Sequence, residues 1–158
     1  MKMTTLCYLE KGEEYLMLHR VKRENDCNKD KWIGIGGKFE PGECPYECVR
    51  REAMEETGLE LINPRYRGIV TFVSDEWGTE YMHLFTCAEF KGEQHPCDEG
   101  VLEWIPKKAL YGLDIWEGDK IFLNLLNDED LPFFSLKLSY VGDTLEKAVL
   151  NGQNIDVI

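Results

Sequence analysis

The chain has 158 residues, 43% hydrophobic, 11% aromatic and 30% charged, a balance that suits one globular domain and excludes a disordered chain. A formal net charge of −12 excludes a broad basic surface for tracking a nucleic-acid polymer, since that binding needs lysine and arginine to displace counterions from phosphates. A small anionic ligand stays compatible with this charge if cations bridge it to acidic side chains.

The six cysteines (Cys7, Cys27, Cys44, Cys48, Cys87, Cys97) form no Cys-x-x-Cys pair, which disfavours zinc and leaves them as small buried hydrophobes. The sequence shows no signal peptide, lipidation motif or apolar run of about 18 residues. The expected setting is therefore a reducing cytoplasm with no membrane partner.

In chain order, residues 3–9 and 14–20 read as a strand hairpin turning at Lys11 and Gly12, with Leu16 and Leu18 alternating against Tyr15, Met17 and His19. Val21 to Lys31 is polar and charged and reads as an exposed loop able to cover a site. Gly34-Ile35-Gly36-Gly37-Lys38 lets the backbone bend or approach a ligand closely. A helix starts at Pro45, whose missing N–H has no intrahelical partner at that position, and stops at Gly58. Strands are expected at 66–74 and 80–88 around Trp77-Gly78, with a shorter one at Val101 to Ile105. Asp114 with Glu117 resembles a capping pair for a second helix running to about Asn127, and Phe134 to Val141 reads as a late strand before a short helix near Leu145. No repeat, low-complexity tract or linker interrupts the chain, so the expected architecture is a single α+β domain.

The chemistry gathers on the Pro45 to Thr57 helix. Tyr46, Val49 and Ala53 make an apolar stripe, and Glu52, Glu55 and Glu56 fall beside it within an arc of about 100°. Each like-charged pair costs about 0.2–0.5 kcal/mol in an isolated helix, so a cation is the expected compensation. All-oxygen ligands point to Mg²⁺, which takes few carboxylates and keeps waters, with Mn²⁺ as a substitute. Alone, such a cluster would be an ordinary solvated acidic face.

The surrounding spacing argues otherwise. Gly37, Glu43, Arg51, Glu52, Ala53, Glu55, Glu56, Gly58 and Leu59 resemble the Nudix box, G-x5-E-x7-R-E-U-x-E-E-x-G-U with U apolar, at every fixed position over residues 37–59. Its seven fixed Gly, Glu and Arg positions would coincide by chance on the order of once in 10⁸ to 10⁹ placements. The resemblance, to Nudix hydrolases of the MutT type that act as 8-oxo-dGTP diphosphatases, covers essentially residues 1–158. It implies an α/β/α sandwich around a mixed β-sheet, and catalysis by metal-assisted hydrolysis of a nucleotide diphosphate linkage.

Carried over, the resemblance makes Glu52, Glu55, Glu56 and the Gly37 carbonyl the metal ligands, with Arg51 orienting them. Arg51 can also pair with Glu47 or Glu55 one turn away, and Glu43 would stabilise the loop. Glu99, ahead of the Val101 strand, resembles the position that supplies a base for the attacking water.

Outside the box, Trp116 and Asp119 look like residues set against the base of an oxidised purine nucleotide. Lys38 and Arg23 would meet phosphates, in company with Lys22, Lys29 and Lys31. Ile33 departs from the pattern, because several oxidised-purine enzymes have an asparagine there and isoleucine cannot hydrogen-bond a base. The expected activity is conversion of 8-oxo-dGTP to 8-oxo-dGMP and diphosphate. Hydrolysis of ADP-ribose or a dinucleoside polyphosphate is the enzymatic alternative, and a non-catalytic nucleotide sensor is an alternative of another class.

Overall fold

The computed structural model describes residues 1–157. Strands β1 (Lys2–Lys11) and β2 (Glu14–His19) form the expected hairpin, with Gly12 left-handed at φ 59°. The glycine cluster becomes a strand. After β3 (Trp32–Ile33), β4 (Ile35–Lys38) pairs antiparallel with β1, setting Gly36 opposite Leu6 and Gly37 opposite Thr5. Helix α1 (Pro45–Thr57) follows. Its start is fixed by Pro45 and by the Glu47 carboxylate, which accepts the Cys44 N–H at 2.9 Å, and its end by Gly58 at φ 79°.

The remaining strands are β5 (Glu60–Ile62), β6 (Arg65–Ser74), β7 (Gly78–Cys87), β8 (Glu89–Lys91) and β9 (Val101–Pro106). A 3₁₀ segment (Lys107–Gly112) leads to α2 (Glu117–Leu126), β10 (Phe134–Val141), β11 (Thr144–Leu150) and β12 (Gln153–Ile155). The main sheet runs β12-β11-β10-β6-β7-β1, with β4 also on β1, and β2 carries β3 and β9. The β10–β6 and β7–β1 pairs are parallel and the others antiparallel, so the sheet is mixed.

The period of two along β1 explains the layering. Leu6 and Tyr8 join the core beneath α2, with Phe122, Leu123 and Leu126, while Cys7 and Leu9 join the core beneath α1, with Val49 and Ala53. Both faces are covered, giving the expected α/β/α sandwich. Fully buried side chains of this kind contribute about 1.5–3 kcal/mol each. On β2 the expected alternation sorts residues between two cores, since Tyr15 and Met17 join one and Leu16 and Leu18 the other. Buried Arg67 on β6 caps the end of α2, donating to the carbonyls of Asp128 at 2.9 Å and Leu126 at 3.5 Å.

Several local expectations are corrected. The segment around Leu145 is not a helix but β11, whose Leu145 and Ala148 reach the α2 core while intervening residues face outward. Asp114 does not cap α2, because Lys31 takes its carboxylate at 2.7 Å and Trp116 occupies the cap position. Tyr46 leaves the α1 stripe at 42% exposure, stacking edge-on against Tyr66 and Phe85. Four cysteines are buried as expected, but Cys44 is exposed at the helix cap and Cys27 is half-buried. No helix among the described residues is long and apolar enough to cross a membrane.

Candidate active site

The box folds as the end of β4, a loop, α1 and its glycine stop, and one guanidinium ties these parts together. Arg51 grips both oxygens of Glu43 at 2.6 and 2.9 Å, and donates to Glu52 at 2.9 Å, Glu55 at 3.2 Å and the Lys38 carbonyl at 2.9 Å. This planar fork holds the loop against the helix, as a lysine could not. Glu43, hydrogen-bonded to Arg51 and to the Glu40 N–H, is held down at about 2. The pairing inferred with Glu55 is present; that with Glu47 is absent because Glu47 closes the helix cap.

The glutamates divide by environment. Glu56 is 6% exposed and accepts the Gly36 N–H at 3.0 Å, yet burial and the adjoining Glu99 push it up to about 9. Burial also raises Glu52, against the opposing pull of Arg51. The Glu55 side chain is 57% exposed and leans onto Arg51. Glu99 sits between Arg20 at 3.0 Å and Arg23 at 3.4 Å, so its own partners hold it beside Glu56. Arg20, which also binds Asp26 at 2.8 Å, escaped the sequence reading because it lies at a strand end without motif spacing.

Two adjacent glycines have different jobs. A Cβ at Gly36 would overlap the Thr5 carbonyl of β1, whereas a Cβ at Gly37 would fall 2.5 Å from the Glu52 carboxyl carbon. Gly36→Ala is therefore expected to destabilise the fold by about 1–3 kcal/mol or more, because backbone must move. Gly37→Ala is expected to melt near the wild type and lose turnover, because the flexible Glu52 carboxylate is what yields. Thermal unfolding and kcat on the two variants check this, and equal melting losses would contradict it.

Among the described residues no three His, Cys, Asp or Glu side chains are already drawn into a closed metal cage. The donor set nevertheless fits a hard cation. Glu56 and Glu99 adjoin so closely that one is pushed toward its neutral form, and a cation would relieve this. Mg²⁺ needs only one or two carboxylates and keeps its waters.

The other expected residues separate into two groups. Arg23 is 61% exposed beside Glu99, and Lys38 is exposed at the end of β4. Lys22 instead holds the Cys97 carbonyl at 2.7 Å, and Lys29 pairs with Glu24 at 2.8 Å. Trp116 and Asp119 lie at the start of α2. The Trp116 indole N–H donates to Asn28 at 2.8 Å, its ring meets Tyr140 edge-on at 5.4 Å, and Lys31 lies over it at 4.8 Å. Loop 21–31 thus reaches both the carboxylates and the α2 end. Asp119, in the first turn of α2, is 3% exposed, and burial, with Glu80, raises it to about 8. Ile33 packs against the α1 core.

A mixed sheet between two helices, with an arginine-braced acidic helix packed behind the Gly-Gly strand, is the arrangement of a Nudix-type hydrolase fold. The NUDIX domain family matches residues 2–126, and the chain belongs to that family and is a Nudix hydrolase, an enzyme class that acts on nucleotide diphosphate derivatives. It is 31% identical over 127 residues to the Nudix hydrolase YvcI of Bacillus subtilis, spanning 77% of each chain. It is 29% identical over 97 residues to the oxidized purine nucleoside triphosphate hydrolase of Danio rerio, spanning 61% of this chain and 62% of that protein. The crystal structure of the mutator MutT protein from Bacillus halodurans matches with a TM-score of 0.84 at 28% identity, covering 97% of this chain and 99% of that one.

Proposed function

We propose that this chain, working as a single domain, is a house-cleaning nucleoside triphosphate pyrophosphohydrolase that converts 8-oxo-dGTP to 8-oxo-dGMP and diphosphate. The observation that carries the hydrolytic reading is the meeting of Glu52, Glu56 and Glu99 behind Gly36-Gly37 of β4. The Gly37 carbonyl, Glu52 and Glu56 would hold Mg²⁺, joined by Glu55 once it leaves Arg51. Bound Mg²⁺ would neutralise phosphate charge and activate the attacking water.

The chain's own residues supply the rest. Arg51 keeps Glu52 facing Gly37 of β4. Glu99 takes the proton of the attacking water, and the exposed guanidinium of Arg23 and ammonium of Lys38 meet the phosphate oxygens. Trp116 offers an aromatic face and Asp119 a buried polar edge to the base; the match to the Danio rerio hydrolase supports a purine there. With Ile33 unable to hydrogen-bond, the base must be read from the α2 side of the sheet.

The test is kcat/KM with Mg²⁺ for 8-oxo-dGTP, dGTP, ADP-ribose and a dinucleoside tetraphosphate, with products identified. Preference for 8-oxo-dGTP with release of diphosphate is expected. Preference for another compound would overturn the substrate assignment, and no hydrolysis of any would overturn the catalytic one.

A further inference from the structure

Strand register builds a row of side chains beneath the start of α2. Lys2 of β1 lies beside Glu80 of β7, Glu80 beside Phe72 of β6, and Phe72 beside Leu138 of β10. Residues two further along these strands, Met82, Val70 and Leu136, belong to the core under α2, so by alternation the row faces that helix. The first turn of α2 lands on its far end. A Cβ on Gly118 would lie 2.5 Å from Leu138 Cδ1 and 2.6 Å from the Tyr140 hydroxyl, which accepts the Gly118 N–H at 2.8 Å. Leu138 and Glu80 are two strand spacings apart, about 10 Å. Half-buried Phe72 forms the floor between them, with Tyr140 at 6.4 Å and Trp116 beyond as walls.

Polar groups border this cup. Asp119 is 3% exposed, and among the described residues the fully buried Tyr8 hydroxyl, which feels the Asp119 charge, has no partner. Opposite, Thr4 donates to Glu80 Oε2 at 2.7 Å and holds that carboxylate in place. The charge of Glu80 reaches Asp119, where it adds to burial in raising the carboxyl group. A buried polar group without a partner is unfavourable, and a ligand with a matching polar atom would relieve it.

We propose that Glu80 is a specificity-determining residue, accepting a hydrogen bond from an N–H on the five-membered ring of an oxidised purine, across the Phe72 floor from Asp119. An ordinary guanine offers only acceptors, N7 and O6, on that side, so a fixed carboxylate repels it. Oxidation at C8 turns N7 into an N–H donor, and repulsion becomes a charge-assisted hydrogen bond. Thr4 acts as the positioning residue that keeps Glu80 pointed inward.

The inference rests on the oxidised-purine reading, and one experiment separates the two. Dissociation constants for 8-oxo-dGMP and dGMP, and kcat/KM for the two triphosphates, are measured on wild type, Glu80→Met, Glu80→Gln and Thr4→Val, with melting temperatures as fold controls. The wild type is expected to prefer the oxidised base, and Glu80→Met to cut that preference about 10- to 100-fold in both binding and turnover. Thr4→Val should cut it less, and Glu80→Gln, which keeps the size and the Thr4 contact, should still lose selectivity. An undiminished preference in folded Glu80 variants would overturn the role of Glu80 alone. Absence of any preference in the wild type would overturn the oxidised-purine reading and this inference with it.

Discussion

Glu56→Gln lowers kcat by about 100- to 1,000-fold, the loss expected when a preorganised electrostatic group is removed from an active site, while the protein keeps its fold. The two halves of this result follow from one environment. Glu56 is buried, is oriented by the Gly36 N–H and lies against Glu99. Glutamine retains the oxygen that accepts from Gly36 but no longer carries a charge for a cation to neutralise. The same exchange removes a carboxyl group that burial and Glu99 push up to about 9, so the metal-free variant should melt higher than wild type at pH 9. Steady-state kinetics with Mg²⁺ and melting in chelator check both halves, and near-normal turnover in a folded variant would sink the assignment of Glu56.

The metal-free protein loses stability as pH rises from about 5 to 9. Glu56 at about 9 and Asp119 at about 8 stand above their ordinary values of 4.5 and 3.8, so through this window the folded state binds protons that the unfolded chain has released. Stability then falls with pH, because the slope follows protons bound in the unfolded state minus those bound in the folded state. The contribution is full below the unfolded values and is lost as pH climbs through the folded ones. Each group accounts for at most about 1.4 kcal/mol per pH unit, worth about 3–6 °C in a domain of this size. Glu43, held down at about 2, acts oppositely and only in acid. Melting curves in chelator should show the decline in wild type, a shallower one in Glu56→Gln or Asp119→Asn, and a nearly flat one in the double variant. A flat wild-type profile would contradict the burial of both groups.

Local signals were legible where backbone chemistry is specific. Pro45 and Gly58 bounded α1 correctly because each acts through its own backbone, and the box spacing marked the carboxylates and their arginine. Glu56 and Glu55 are neighbours in sequence, and only the direction of α1 against β4 separates a buried acid from one 57% exposed. The Leu145 segment read as helical because its buried residues, Leu145 and Ala148, stand three apart, a spacing this strand reaches through the register shift opposite Ser139 and Tyr140, which composition does not reveal. Glu80, Thr4 and Tyr140 carry no motif; the parallel registers of β1 with β7 and of β6 with β10 set them around Phe72.

The Tyr140 hydroxyl that seats the Gly118 N–H belongs to β10, which lies beyond residues 2–126, where the family resemblance is strongest. The seat of α2 is thereby supplied by a stretch of polypeptide other than the one that carries the carboxylate helix. The carboxylate helix comes from the shared portion, but one wall of the cup comes from the later hairpin of β10 and β11. Exchanging that hairpin between related enzymes would therefore shift the first turn of α2, and with it Trp116 and Asp119, while leaving the carboxylate helix unchanged.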